Sequence, residues 1–299
     1  MGISRPIWAL FLPYCYFLIP FTLLNSKNLY PILFGFITMF FFFLGHFSLN
    51  ALFDRDADRA NRRKNASNSW DESLNFKGEW IWILILVYWI ISILGAFIHQ
   101  IIFRSSFIII MILIAIILAI AYSTPPIRVK GRAPMDLLIN QFSFGIIGPL
   151  FAIESFGILH TFPLAGLIIL LIFSVSTLTI VVLPTIMMDT TIDKQYGYNT
   201  FSVKFGLRNA VKVTLLSLGI QLVCIVVFSA IAIYEENFLF ILMMVALVTG
   251  ESCFIFLLWR KPTEKNAEFV ASLFASSFLS GGIHLLVITH LLPFTLSFL

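Results

Sequence analysis

The chain has 299 residues, of which 60% are hydrophobic and 11% are charged. This composition excludes a soluble globular protein and a disordered one, and it indicates an integral membrane protein. The formal net charge of +4 is explained by basic loops that meet anionic headgroups, so it gives no reason to expect a nucleic-acid partner. The three cysteines lie scattered in apolar segments, which indicates buried free thiols rather than a disulfide framework or a metal cluster.

Apolar runs of about 20 residues predict membrane-spanning helices. The chain contains nine such runs, bounded at 6–24, 30–52, 79–99, 104–122, 137–157, 163–188, 212–234, 238–258 and 266–297. The N-terminal residues lead into the first run without a small-residue cleavage site, so we expect that span to be retained. The sequence predicts an all-α membrane protein with about nine transmembrane helices in a single bundle around a central cavity.

The basic residues between these runs predict the orientation of the bundle. With nine spans, every lysine and arginine except Lys27 and Arg104 falls on one side of the membrane. The positive-inside rule places that side, with the N-terminus, in the cytoplasm. We therefore expect an integral protein of the cytoplasmic (plasma) membrane whose charged loops face the cytoplasm.

The second run ends in the stretch GHFSLNALFDRDADRANRR, in which Asn50, Asp54 and Asp58 recur at steps of four. If the helix of the run continues, these side chains share one face. Two ionised carboxylates about 6 Å apart repel each other, so the pattern favours a cation bound between them. Oxygen ligands suit Mg²⁺, which shares its coordination sphere with substrate phosphates.

The fourth run is followed by YSTPPIRVKGRAPMDLLIN, in which Pro125 and Pro126 must end the helix. If the next residues are extended, Arg128, Lys130 and Arg132 share one side and form a cluster suited to a diphosphate. Tyr122 has two interpretations, as a residue that orients substrate or as an interfacial aromatic. Three polar residues at the start of the fifth run are candidates for the mouth of a site: Asp136, Asn140 and Gln141.

A second acidic pair, Asp189 and Asp193, follows the sixth run with the same spacing. One such pair is equally well explained as a solvated helix end, but two pairs in equivalent positions favour a metal site. Basic proline-containing loops also follow the fourth and eighth runs. The sequence thus predicts one domain over 1–299, built from two parallel four-helix repeats and a final helix. Glu251, inside the eighth run, is a further functional candidate, because ionisable groups there are costly.

These segments resemble the UbiA superfamily of intramembrane aromatic and lipid prenyltransferases. NALFDRDAD is similar to the NDxxDxxxD motif of that family, and DTTIDKQYGYNTFSVKFG is similar to its second motif. YSTPPIRVK resembles the segment after the fourth helix in the chlorophyll-synthase-like and carotenoid-elongase-like branches. One departure is Ala51, where the commoner pattern has Asp. Because Ala51 lies about 100° away from the Asn50 stripe, this change need not remove a metal ligand.

The resemblance implies a Mg²⁺-dependent prenyltransferase with two ions, which transfers a polyprenyl group of the geranylgeranyl class from its diphosphate to a hydrophobic acceptor in the membrane. The acceptor would be a lipid, a quinone precursor, a chlorin or a carotenoid. The implied metal ligands are Asp54 and Asp58 for one ion, Asp189 and Asp193 for the other, and Asn50 in support. The residues implied for substrate binding are Asn50, Tyr122, Arg128, Lys130 and Lys194.

Four other interpretations remain open. An ether-lipid enzyme of the digeranylgeranylglyceryl phosphate synthase type and a UbiA-type terpene cyclase would carry the same motifs, as would a family member that binds isoprenoid lipids without turnover. A cation or lipid-phosphate transporter belongs to a different class. It would place acidic residues near the bilayer midplane at broken helices, a description that only Glu251 fits.

Overall fold

The structure is a computed structural model that describes residues 30–61, 78–234 and 238–273. The predicted first span and most of the ninth lie outside these residues, as do Arg62 and Arg63. Within the described residues the chain is helical, and its β-type pairing is a single bridge between Arg132 and Asn199. The predicted all-α class is confirmed.

The helices follow one another with short connections. They are α1 (Tyr30–Ala60), α2 (Gly78–Phe103), α3 (Ile108–Ser123), α4 (Met135–Ser155), α5 (Leu164–Met188), α6 (Thr190–Gln195), α7 (Phe201–Phe205), α8 (Leu207–Tyr234) and α9 (Phe238–Arg260). A further helix, α10, occupies 264–273. Among the described residues, α1, α2, α4, α5 and α8 contain segments long and apolar enough to cross a membrane, and α3 is a shorter apolar helix. Every predicted span from the second to the eighth has a helix in its place.

The helix α1 carries the first acidic motif beyond the apolar run. It continues past residue 52 to Ala60 without a break, as the four-residue spacing of its polar side chains predicts. A close approach to α2 fixes its position, because a Cβ atom at Gly45 would lie only 2.4 Å from Nε1 of Trp89. Glycine at this position lets the indole pack directly against the α1 backbone.

Three apolar clusters hold the described helices together, and the two larger ones surround the polar site. One joins α1 to α4 and is represented by Phe43, Ile85, Ile112 and Phe151. The other joins α4, α5, α8, α9 and α10 and is represented by Leu137, Leu183, Val211, Ile255 and Val270. Because apolar packing fixes the helices along their length, the ends of α1, α4 and α5 are held at defined positions around the polar site.

The connection between α3 and α4 differs from the sequence expectation. The helix α3 ends at Ser123, just before the two prolines, as predicted. The predicted extended conformation after them is wrong, because Val129–Gly131 form a 3₁₀ turn closed by the bond from Arg132 N–H to the Val129 carbonyl (2.9 Å). The turn sends Arg132 away from Lys130, and its guanidinium donates to the Pro126 carbonyl instead (2.9 Å).

Candidate active site

A cavity of about 190 Å³ lies where the ends of several helices meet. It is lined by residues from α1, α3, α4, α5, α6 and the connecting loops. Its charged lining residues are Asp54, Asp58, Lys130, Asp136, Asp189 and Asp193. Five carboxylates and one ammonium group therefore face one enclosed space, an arrangement that attracts cations.

The first carboxylate pair lies on one face of α1. Asp54 and Asp58 are 4% and 5% exposed, and Asn50 lines the cavity one turn earlier. The Lys130 ammonium forms an ion pair with Oδ2 of Asp54 and donates to Oδ1 of Asn50 (3.3 Å). Burial lowers the pKa of Lys130, but the Asp54 carboxylate raises it more, so the pKa lies well above its usual range. Lys130 is therefore a cation at neutral pH.

Arg128 fixes the same carboxylate from the other side. Its guanidinium donates to Oδ1 of Asp54 (3.0 Å) and to the Phe53 carbonyl (3.0 Å). It also donates to the Tyr198 hydroxyl (2.6 Å) and lies 4.6 Å from the centre of that ring. Arg128 adopts a left-handed backbone conformation (φ 30°), which these several contacts stabilise. The loop after α3 is thereby tied to the end of α1.

The second carboxylate pair stands at a helix break. Asp189 occupies the junction between α5 and α6, and Asp193 lies one turn later in α6. The Asn61 amide donates to Oδ1 of Asp189 (2.9 Å), and the Thr200 hydroxyl donates to Oδ2 of Asp193 (3.0 Å). Neutral side chains from outside the acidic motif thus orient both carboxylates.

Two further residues shape the cavity wall. Asp136 accepts a hydrogen bond at Oδ2 from the Phe201 N–H (2.6 Å), while its Oδ1 is buried and has no hydrogen-bond partner among the described residues. The Tyr122 hydroxyl accepts a hydrogen bond from the Asn140 amide (3.2 Å). Behind Tyr122 the wall continues into a small aromatic pocket lined by Phe42 and Phe144, among others. The cavity is therefore polar at one side and aromatic at the other.

Most of the residues predicted from the sequence line this cavity: Asn50, Asp54, Asp58, Tyr122, Lys130, Asp189 and Asp193. Arg128 is not part of the lining but contacts Asp54. Lys194 is exposed and does not line the cavity, because it follows Asp193 on α6 and lies about 100° round the helix from it. Its diphosphate contact stays a prediction.

Three residues of the site were not singled out by the sequence patterns. Asn61 follows the end of α1, Tyr198 and Thr200 precede α7, and all three contact the cavity residues described above. The second motif contained Tyr198 and Thr200, but nothing in its spacing assigned them a partner. Only the tertiary fold brings them to Asp193 and Arg128.

Glu251 belongs to a different part of the bundle. It is 2% exposed in α9 and does not line the acidic cavity. The buried Gln221 of α8 lies at the same level, and its amide donates to the Thr177 hydroxyl in α5 (2.9 Å). The bond between Gln221 and Thr177 links α8 to α5 inside the apolar region, whereas both carboxyl oxygens of Glu251 are buried without a hydrogen-bond partner among the described residues.

The carboxylate pairs fit a particular kind of metal binding. Within the described residues, no three acidic, histidine or cysteine side chains converge on a point where they alone could hold an ion. Mg²⁺ is commonly bound by only one or two carboxylates, and substrate phosphates and water complete its coordination. Two carboxylates from each motif provide this donor set, and they suit an ion that arrives with a phosphorylated substrate.

The fold and the site define a polytopic membrane protein with an enclosed acidic cavity at one end of a helical bundle. The sequence model of the UbiA prenyltransferase family matches residues 15–279, so the chain belongs to this family. The resemblance seen in the motifs is confirmed, and so is the class of enzyme that it implied, an intramembrane prenyltransferase. No curated protein matches the chain.

Solved structures show the same fold. A UbiA homologue from Archaeoglobus fulgidus bound to DMAPP and Mg²⁺ has a TM-score of 0.65 and 18% identity, over 94% of this chain and 97% of that one. An apo UbiA homologue from Aeropyrum pernix K1 has a TM-score of 0.67 and 13% identity, over 94% and 98%. A digeranylgeranylglyceryl phosphate synthase structure has a TM-score of 0.58 and 15% identity, over 96% of both chains.

Proposed function

We propose that the protein transfers a polyprenyl group of the geranylgeranyl class from its diphosphate to a hydrophobic acceptor, with two divalent metal ions. The observation that carries this proposal is the meeting of two carboxylate pairs and a partly buried lysine in one cavity. The A. fulgidus homologue binds DMAPP with Mg²⁺, and another structure of it holds Cd²⁺, which supports a prenyl diphosphate and a divalent ion as ligands here.

The two pairs would each hold one ion. Asp54 and Asp58, with Asn50 in support, are assigned to the first, and Asp189 and Asp193 to the second. Bound Mg²⁺ would supply charge neutralisation for the diphosphate, a contribution of several kcal/mol in such reactions. Lys130 lies between Asn50 and Asp54, so its ammonium group can donate to diphosphate oxygens at the same place.

The reaction begins with cleavage of the allylic C–O bond, and diphosphate leaves with the bonding electron pair. An electron-rich carbon or oxygen of the acceptor then attacks the allylic cation and gives up a proton. Aromatic ring faces attract cations, so the Tyr122 ring in the cavity wall suits the allylic cation.

The acceptor is proposed to be a lipid, a quinone precursor, a chlorin or a carotenoid dissolved in the bilayer. The positive-inside rule supports a position of the cavity at the cytoplasmic face of the cytoplasmic membrane, since the basic residues of the loops lie at the cavity end. A phosphorylated prenyl donor made in water could then enter from the cytoplasm, and the acceptor could enter from the membrane.

The test is a product assay with the whole protein in lipid nanodiscs, together with an uptake assay on the protein in sealed lipid vesicles. The protein is incubated with Mg²⁺, radiolabelled geranylgeranyl diphosphate and either a host-lipid extract or geranylgeranylglyceryl phosphate. Labelled lipid from the extract supports the proposal, and labelled product from geranylgeranylglyceryl phosphate alone identifies the ether-lipid enzyme instead. Mg²⁺-dependent binding without product, or uptake of label into vesicles without product, overturns the proposal.

A further inference from the structure

The segment before α7 is bonded to the loop before α4 along its length. The Asn199 N–H donates to the Gly131 carbonyl (2.9 Å), and the Ala133 N–H donates to the Asn199 carbonyl (2.7 Å). The third bond is from the Phe201 N–H to Oδ2 of Asp136 (2.6 Å). These bonds fix the backbone on both sides of Thr200.

Thr200 connects this fixed backbone to the second acidic motif. It is 3% exposed, so its side chain has little freedom, and its hydroxyl donates to Oδ2 of Asp193 (3.0 Å). The Tyr198 N–H also donates to the Asp193 carbonyl (2.8 Å), which holds the same segment against α6. The orientation of the Asp193 carboxylate is thus set by a residue seven positions later in the chain.

Asp136 has the features of a support rather than of a ligand. It is 1% exposed, and one of its oxygens is committed to the Phe201 N–H. A buried carboxylate is costly unless it is hydrogen-bonded, and the Phe201 N–H supplies a hydrogen bond to Oδ2 of Asp136. This bond fixes the backbone directly after Thr200.

We propose that Asp136 and Thr200 are positioning residues for metal binding, in which Asp136 fixes the Phe201 backbone and the Thr200 hydroxyl orients Asp193. This inference rests on the proposed function, because it takes Asp193 to be a metal ligand. Groups that hydrogen-bond to metal ligands fix their orientation, and their loss weakens metal binding or activity by about 10- to 100-fold.

The test measures Mn²⁺ binding by the full-length protein without substrate turnover, from the electron paramagnetic resonance signal of free Mn²⁺. Thr200→Val removes the hydroxyl but keeps the shape, and we expect it to raise the dissociation constant about tenfold. Thr200→Ser keeps a hydroxyl and is expected to restore binding. The matched control is Thr214→Val, which removes an equally buried hydroxyl (0% exposed) from α8, away from the cavity.

Asp136 provides a second, independent pair of variants. Asp136→Ala removes the acceptor for the Phe201 N–H and is expected to weaken Mn²⁺ binding as Thr200→Val does. Asp136→Asn keeps an oxygen acceptor and should bind more tightly than Asp136→Ala. Because both residues act through Asp193, the double variant that combines Asp136→Ala with Thr200→Val should bind no more weakly than the weaker of the two single variants.

The outcomes separate this inference from the proposed function. Mn²⁺ binding that is equal in wild type, Thr200→Val and Asp136→Ala overturns the positioning role and leaves the metal-dependent function intact. Additive losses in the double variant also overturn it, since they show two independent effects. If the wild type itself binds no Mn²⁺, with or without inorganic pyrophosphate, the proposed function fails and the inference fails with it.

Discussion

The two carboxylate pairs share their spacing and their cavity, but the structure holds them in different ways. Asp54 lies on a continuous helix and forms ion pairs with Lys130 and Arg128. Asp189 and Asp193 stand at a helix break and accept hydrogen bonds from the neutral side chains of Asn61 and Thr200. A neutral donor can stay in place while its carboxylate binds a metal ion, whereas a lysine on the same oxygen competes with the ion.

This difference indicates different roles for the supporting residues. Lys130 neutralises Asp54 in the free protein and can transfer its hydrogen bonds to an incoming diphosphate. Asn61 and Thr200 orient their carboxylates whether or not substrate is bound. Asp54 would therefore exchange its Lys130 contact when substrate binds, whereas Asp189 and Asp193 would keep their hydrogen bonds from Asn61 and Thr200.

The largest effect is expected when a carboxylate is removed from either pair. Asp54→Ala and Asp189→Ala should each lower turnover by about a hundredfold or more, because metal ions supply several kcal/mol of transition-state stabilisation and each 1.36 kcal/mol is a decade in rate. Product formation by the purified variants measures this. Asp56→Ala, on the exposed side of α1, is the matched control. Near-normal turnover in a folded Asp54→Ala or Asp189→Ala variant would refute the assignment of the site.

A smaller effect is expected when Lys130 is replaced, and it should change the use of substrate but not the binding of metal. Lys130→Met should lower kcat/KM for the prenyl diphosphate about 10- to 100-fold, the effect of losing one charged hydrogen bond. Mn²⁺ binding without substrate should not weaken, because a competitor for Asp54 has been removed.

The exposed Lys194 offers a direct comparison with Lys130. If Lys194→Met lowers kcat/KM as much as Lys130→Met does, the result would support a diphosphate contact for both lysines, as the family resemblance implied. Weaker Mn²⁺ binding in Lys130→Met, in parallel with its loss of activity, would contradict the competition between Lys130 and the ion.

The hydrogen bond from the neutral Asn61 amide to Asp189 predicts a smaller change in metal binding. Asn61→Ala removes the donor to Asp189 and should weaken Mn²⁺ binding by about tenfold. Asn209→Ala, which removes an exposed amide that donates to the helix backbone at Phe205, serves as the control. Equal affinities in Asn61→Ala and Asn209→Ala would show that the amide is not needed to orient Asp189.

The smallest expected effect is that of pH on the Lys130 pair. A raised lysine pKa stabilises the folded protein fully below the ordinary pKa of about 10.4, and this stabilisation is lost only as the pH rises through the still higher folded value. The ratio of wild-type to Lys130→Met activity should therefore stay constant from about pH 6 to 9. A ratio that falls towards one at the alkaline end would show that Lys130 loses its proton there.

The fold class and most of the cavity could be predicted because their signals are local. The length of the apolar runs fixes the helices, and steps of four place Asp54 and Asp58 on one face whatever surrounds them. The basic residues after the fourth run also pointed to Lys130, which the structure brings to Asp54 from 76 residues away. These features depend on periodicity and on proline positions, which a sequence displays directly.

The supporting residues could not be predicted because they depend on contacts between distant segments. Asn61 meets Asp189 across 128 positions, and Phe201 meets Asp136 across 65. No spacing rule reports such pairs. The same reason explains the wrong prediction for Arg132. The alternating basic residues suggested that Arg132 and Lys130 share one side, but the 3₁₀ turn directs the Arg132 side chain to the Pro126 carbonyl.

The ion pair between Lys130 and Asp54 has a consequence for how the protein matures. In small zinc proteins the metal-binding free energy is also the folding free energy, so the chain cannot assemble without its ion. Here the polypeptide brings its own counter-charge to the acidic end of the bundle. Membrane insertion and helix assembly can thus be completed before any ion binds, and the proposed divalent ions could enter and leave with substrate without loss of the folded structure.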